Sequence, residues 1–321
     1  MANNPRPAAT TVATAVLAGG ALVAAATLAR RELHRTRAAF PALELTAIHR
    51  AGTGTPLLLL HGISAIWRAW SPVLPYLEPH HDVIAPTLHG HAGGPPLDSS
   101  IAPSVQALVD GVEEELDRMG LRQVHIAGNS LGGWIGIELA RRGRARSLVL
   151  FSPPGAWRSQ RSIELRAAGV RRTVSALSRY SSHADAMAAN APLRWLLLAG
   201  QVAHPNRVPP ETLAAYIRAS GAAPVVGPLL QAIPLQPLQP LPTVRDYPVR
   251  LVWGDRDRVL PFDGFGAPML ERLPGAELIR LKGAGHVPMS DDPVTVANLI
   301  LQVTRAVDNA AVSTEVGRRN A

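Results

Sequence analysis

Gly128-Asn129-Ser130-Leu131-Gly132 is the stretch best equipped for chemistry. It lies between an apolar run, Val124 to Ala127, and a helix-like segment from Leu131 to Arg142, so it reads as strand, sharp turn, helix. A serine hydroxyl is a weak nucleophile at neutral pH because it stays protonated. It needs a base beside it and N–H donors for the negative charge that develops when it attacks. The pattern is that of a G-x-S-x-G nucleophile elbow, with its strand and helix in place. Gly128 and Gly132 allow a strained backbone and a close helix–strand approach. The helix beginning at Leu131 aims its unpaired N–H groups at the same point.

A base is offered by His286, which ends the Gly283-Ala284-Gly285-His286 loop after a strand-like run. Small neighbours let its ring reach inward, where it would take the Ser130 proton and return it to a leaving group. Two carboxylates compete to orient that ring, Asp255 and Asp257 in Gly254-Asp255-Arg256-Asp257. The other role open to Asp255 is a turn carboxylate that accepts backbone N–H bonds. Asp291 and Asp292 read as helix-cap residues ahead of Pro293. His89 and His91, with His80 and His81 upstream, lack a third ligand at recognisable spacing, and there is no H-E-x-x-H; no metal is expected.

The elements that must position these groups follow a rhythm. Leu43 to His49 alternates as an edge strand, and Leu57 to Leu60 is a short apolar run of the kind buried in a parallel sheet. Val83 to Ala85, Val124 to Ala127, Ser147 to Phe151, Val249 to Trp253 and Ala276 to Leu281 are further strands. Helices are expected at Val105 to Met119, Leu131 to Arg142, Phe265 to Leu273 and Val294 to Val307. The Gly283 to Asp292 stretch reads as loop, and the last dozen residues as frayed. Between Gly155 and Leu241 the rhythm breaks into helix-compatible segments, Ile163 to Leu177 and Pro210 to Ala219 among them, separated by proline and glycine. Strand–helix alternation predicts a three-layer α/β fold with a mostly parallel sheet, and the strandless insertion reads as a lid.

From about residue 43 to 308 the chain resembles the α/β-hydrolase superfamily, in particular esterase- and lipase-like serine hydrolases. The resemblance rests on Gly128 to Gly133, His61-Gly62, the Gly254 to Asp257 loop ending in Pro261, the Gly283 to His286 loop, and the order serine, acid, histidine. It implies an α/β-hydrolase core in two parts, 39–154 and 244–309, around a helical lid at 155–243. Residues 1–38 precede that core as an apolar segment and basic linker, and 310–321 follow it as a tail. It implies a triad of Ser130, His286 and Asp257, the last four residues before the proline, as in the family. It places the oxyanion donors on the backbone N–H of Ile63 and Leu131, with His61, Gly62, Asn129 and the elbow glycines as supporting loop. No cofactor is implied. Where the family often has Gly-His-Gly-x-Ser preceded by aspartate, this chain has Gly90-His91-Ala92-Gly93-Gly94 and Thr87.

Serine as nucleophile disfavours the haloalkane dehalogenase and epoxide hydrolase branches, whose members use aspartate there. The Gly-Asn-Ser-x-Gly-Gly elbow is shared with carbon–carbon bond hydrolases of ring-cleavage products, but these usually follow the histidine with tryptophan, and Val287 stands here. The expected reaction is therefore hydrolysis of an uncharged, apolar ester or lipid under a lid that shows no obvious charge cluster. A catalytically inactive binding protein is the non-enzymatic alternative. Trp67, Trp70, Trp134, Trp157 and Trp195 fall near the expected pocket or in the lid, with ordinary packing as their simpler role.

Composition narrows the partners. The chain has 321 residues, no cysteine and a formal charge of +8, of which six arginines against two glutamates in residues 1–50 account for half. The other 271 residues then look like an ordinary surface, with no basic stripe interleaved with aromatics, so no nucleic-acid partner is expected. The absence of cysteine removes thiolate chemistry and structural disulfides. Thr11 to Ala29 is a nineteen-residue run without charge, closed by Arg30-Arg31. Its length is near that of a membrane anchor, and the flanking arginines would leave the globular part on the cytoplasmic side. A signal peptide or an apolar start of a cytoplasmic protein would read similarly.

Overall fold

The structure, a computed structural model, describes Phe40 and residues 44–319, with side chains through residue 313. The expected anchor at 11–29 lies outside the described residues. Seven strands run β1 (Ile48–Ala51), β2 (Thr55–Leu60), β3 (His81–Pro86), β4 (Val124–Asn129), β5 (Ala145–Phe151), β6 (Val249–Gly254) and β7 (Glu277–Leu281). They form one sheet in the order β1-β3-β2-β4-β5-β6-β7. Only β1 is antiparallel, pairing with β3 from Ile48 opposite Pro86 to Ala51 opposite Val83. This edge strand starts five residues later than the alternation in Leu43 to His49 implies.

The helices are α1 (Leu74–Leu77), α2 (Val105–Arg118), α3 (Leu131–Arg141), α4 (Gln160–Arg179), α5 (Ala184–Ala189), α6 (Ala191–Leu198), α7 (Pro210–Gly221), α8 (Val226–Ala232), α9 (Ala267–Arg272), α10 (Pro288–Asp291) and α11 (Pro293–Arg319). Strand β2 shows why the central strands read as unbroken apolar runs. Leu58 and Leu60 pack under α2 and α3 with Leu108, Val112, Ile135 and Leu139. Leu57 and Leu59 face the opposite layer with Leu74, Leu77, Val296 and Ile300. A sheet covered on both faces leaves no polar side to alternate with. Burying each leucine contributes about 1.5–3 kcal/mol.

Helix α2 begins where the Ser104 side chain accepts the Ala107 N–H, and it buries Val105, Leu108, Val109, Val112 and Leu116. The start of α11 is capped by Asp292, which accepts from Thr295 N–H at 3.1 Å. Three expectations change. The segment from Phe265 to Leu273 opens as a π-turn over Phe262–Gly266 and becomes α-helical at Ala267–Arg272. The His286 loop contains α10. The tail is not frayed through most of its length, because α11 continues to Arg319.

Helices α4 to α8 stand between β5 and β6 in the chain with no strand among them. They have their own small core, in which Met187, Leu193, Leu198, Leu213 and Ile217 meet. The expectation of a lid without a charge cluster does not hold for α4, which carries Arg161, Arg166, Arg171, Arg172 and Arg179 against Glu164 alone.

Candidate active site

The parallel register brings five strand ends to one edge of the sheet. Leu60 of β2 pairs with Gly128 of β4, Asn129 of β4 with Phe151 of β5, and Gly254 of β6 with Leu281 of β7. Strands β2, β4, β6 and β7 then each release a loop bearing residues singled out in the sequence. Open α/β sheets offer their ligand crevice at this edge.

Ser130 is the hinge between β4 and α3, with φ +52° and ψ −122°. A non-glycine residue held there stores about 1–3 kcal/mol of strain. Its N–H donates to Phe151 O at 2.9 Å, and its carbonyl accepts from Gly133 N–H at 2.8 Å. Gly132 has no room for a side chain, since a Cβ there would lie 2.2 Å from Leu60 O. That contact draws α3 onto β2 and pushes Ser130 to the top of the turn. Ser130 is 8% exposed. Among the described residues its hydroxyl has no hydrogen-bond partner. Bonds between nucleophile and base are often open without substrate and close when it binds.

The His286 ring joins Asp257, with Nδ1 to Oδ2 at 2.8 Å. A carboxylate accepts there, so Nδ1 carries the proton and Nε2 is left to accept another. The other oxygen of Asp257 accepts the Leu260 N–H at 2.8 Å, which fixes the carboxylate plane. Asp255 instead accepts the Gly283 N–H at 2.7 Å and makes no hydrogen bond to the ring. Asn129 ties the histidine loop to the elbow, because its side-chain amide donates to His286 O at 2.8 Å and Phe151 O at 3.2 Å.

The His61-Gly62-Ile63 turn lies against the serine: a Cβ on Gly62 would be 3.3 Å from Ser130 Cβ. His61 accepts the Leu88 N–H on Nε2 at 3.0 Å and donates from Nδ1 to Gly62 O at 2.8 Å. Burial, with His91 beside it, pushes its pKa down to about 3, so it is a neutral strut between the loops after β2 and β3. The N–H groups of Ile63 and Leu131 make no hydrogen bond among the described residues.

Two features were not legible in the sequence. Asp291 caps no helix: 2% exposed, it accepts from Gly285 N–H at 2.8 Å, Ala203 N–H at 3.0 Å and His204 N–H at 2.9 Å. It thereby joins the His286 loop to the α6–α7 connection. Arg166 of α4 donates to Val259 O at 2.8 Å and Arg258 O at 3.1 Å, in the loop that carries Asp257. Desolvation lowers its pKa, opposed by the charge of Asp257. A spacing rule could not find either contact, since each crosses about ninety residues of chain.

Above the site the insertion is apolar. Ile63 packs with Ala167, Val225, Val226 and Leu230, and Val287 packs against the insertion's core. Trp67, Trp70 and Trp134 are packed into the main core, Trp157 is half-buried, and Trp195 is 55% exposed. Among the described residues no three His, Asp or Glu side chains are grouped to hold a metal.

A sheet of this order, with a serine on a strained strand–helix turn and a histidine–carboxylate pair at the neighbouring strand ends, defines a hydrolase architecture. The alpha/beta hydrolase family model matches residues 57–299, and the chain belongs to that family. Epoxide hydrolase EphH of Mycobacterium tuberculosis is 34% identical over 200 residues, spanning 61% of this chain and 93% of that protein. A 2-hydroxy-6-oxo-2,4-heptadienoate hydrolase of Pseudomonas putida is 35% identical over 115 residues, 34% of this chain and 41% of that enzyme. Among solved structures, a bacterial membrane phospholipase A superposes with a TM-score of 0.65 at 24% identity, covering 94% of this chain and 97% of that one; it speaks for the fold alone. Among the described residues no single helix is long and apolar enough to cross a membrane.

Proposed function

We propose that the protein hydrolyses an uncharged carboxylic ester with an apolar acyl group through an acyl-enzyme. The hydrogen bond between His286 and Asp257, on a loop that Asn129 ties to the strained Ser130 turn, is the observation that carries this reading. Ser130 Oγ attacks the carbonyl carbon while His286 Nε2 takes its proton. The tetrahedral oxyanion accepts from the Ile63 and Leu131 N–H groups, where one such donor is worth about 2.7–4 kcal/mol in a protease precedent. His286 then protonates the leaving alcohol and activates the water that releases the acid. Asp257 holds the tautomer, and Asp255 acts only on its turn.

The nucleophile's chemistry argues against carrying over the epoxide activity named for EphH. A serine alkoxide opening an epoxide would leave an ether, which water does not cleave at a catalytic rate; a carbonyl substrate leaves a hydrolysable ester. The second reading is cleavage of a carbon–carbon bond next to a ketone, favoured by the Gly128 to Gly133 elbow and by the relative from Pseudomonas putida. Both routes use the same serine and donors. A series of p-nitrophenyl esters of rising chain length on wild type and Ser130→Ala decides between them and inactivity. Ester turnover lost in the variant is expected; equal rates in the two proteins would remove the assignment, and turnover confined to a ring-cleavage dienoate would favour the second reading. Failure of a fluorophosphonate probe to label Ser130 would favour an inactive binding protein. Membrane association through residues 11–29 belongs to the proposal too, and fully soluble full-length protein on fractionation would refute it.

A further inference from the structure

The positive charge of this chain is concentrated on one part of the globular body. Residues 155–243 carry nine arginines against Glu164, Asp185 and Glu211, a net +6, while all other residues that follow residue 50 sum to −2. Several arginines of the sheet-bearing part sit in ion pairs, Arg142 with Asp110 and Glu113, Arg144 with Asp117 and Arg250 with Glu277, while unpaired ones such as Arg122, Arg256 and Arg305 stand on separate elements. Within the insertion, Arg218 pairs with Asp185, and Arg166, Arg194 and Arg207 are spent on backbone carbonyls.

Helix α4 differs. Arg161, Arg172 and Arg179 are exposed, and among the described residues none has an ion pair or hydrogen bond. At 3.6 residues per turn these three and Leu165 fall within about 40° of one another around the helix, on a stripe about 27 Å long. Leu165 is 53% exposed in its midst. The opposite side of α4 buries Ile163 and Ala167, so the arginine stripe is the face that points away from the protein.

We propose that this outer face of α4 docks the protein on an anionic lipid bilayer, with the three guanidinium groups on headgroup phosphates and Leu165 in the interface. Unpaired cations in line with an exposed aliphatic side chain match a surface that is negative above and apolar below. A nucleic acid fits less well, because the stripe has no aromatic side chain on which a base could stack. The inference goes beyond the ester-hydrolase reading and is independent of the chemistry at Ser130. Its consequence is that the insertion would face the membrane with the site beneath it.

The test is flotation of the full chain with phosphatidylcholine vesicles, with and without phosphatidylglycerol, at low and high salt. Each basic residue near such a surface contributes a factor of about five, so Arg161→Gln/Arg172→Gln/Arg179→Gln should weaken partitioning into the anionic vesicles on the order of 100-fold. Wild-type binding should fall with salt. Anchoring by residues 11–29 acts on both proteins and both vesicle types, so the difference isolates α4. Unchanged melting of the variant controls for folding, and since binding is read without turnover, loss of the hydrolase assignment would leave the result intact. Equal partitioning of wild type and triple variant into phosphatidylglycerol vesicles would overturn the proposal. So would tighter binding of a single-stranded DNA oligomer than of those vesicles at the same salt.

Discussion

Replacing Asp291 by alanine tests how the histidine loop is held. The buried carboxylate accepts three backbone N–H groups, from Gly285, Ala203 and His204, and two of them come from a segment almost ninety residues away. A hydrogen bond to a charged group is worth about 1.5–3 kcal/mol, and the donors left behind on the insertion are half-buried and partly rehydrated, so the loss should be about 3–5 kcal/mol. At about 2–4 °C per kcal/mol for a domain of this size, the melting midpoint should drop by roughly 10 °C. Asp291→Asn keeps one accepting oxygen and should lose about half as much. Activity should fall as well, because Gly285 precedes His286 and a displacement of about 1 Å at a reacting group costs up to 10²-fold in rate. Thermal melts by circular dichroism, with kcat and KM on a soluble p-nitrophenyl ester, read both effects, and kcat should carry the loss. A melting midpoint within one degree of wild type together with unchanged kcat would refute the reasoning.

The remaining predictions separate neighbouring groups. Asp257→Asn should lower kcat by about 10⁴ because the ring loses its tautomer, whereas Asp255→Asn, which disturbs only the Gly283 turn, should change it less than about threefold. Similar losses in the two variants would show that the acid has been misassigned. Asn129→Ala removes the bonds to His286 O and Phe151 O and should cost about 1–2 kcal/mol of stability along with a reduced kcat, read by urea titration and ester turnover. Stability should also fall in acid. Burial lowers the pKa of His61 to about 3 and of His91 and His125 to about 4, so the unfolded chain, near 6.5, binds protons first. Their contribution is present above pH 6.5 and is lost as pH falls towards 4, with a slope of up to about 1.4 kcal/mol per pH unit for each. A urea midpoint that stays level from pH 7 to 5 would contradict this.

Much of the fold was legible because buried parallel strands leave a local mark. Leu57 to Leu60 and Val124 to Ala127 are continuous apolar runs since helices cover both faces, and Asp292 announces the helix it caps. The turn at Ser130 was legible through its glycines, which answer to contacts a few residues away and on the adjacent strand. Asp291 was not. It sits beside Asp292 ahead of a proline and looks like a second cap, and only the approach of residues 203 and 204 makes it a clamp. The free stripe on α4 was hidden for a different reason. Net charge averaged over 271 residues conceals that Arg161, Arg172 and Arg179 are unpaired and share one stripe of a single helix. The start of β1 depended on its antiparallel partner, which local alternation does not report.

The attachments between insertion and sheet are uneven. Asp291, Arg207 and the bond from Val287 N–H to Gln201 O bind it to the histidine loop, and Arg166 and Arg258 bind it to the loop of Asp257. Towards Ile63 it is held by apolar packing and one long bond, Ser220 Oγ to Ser64 O at 3.4 Å. Parting the insertion from the sheet therefore breaks fewest polar bonds at the seam next to Ser64, and it costs most beside Asp257 and His286, where the attachments also hold the side chains in line.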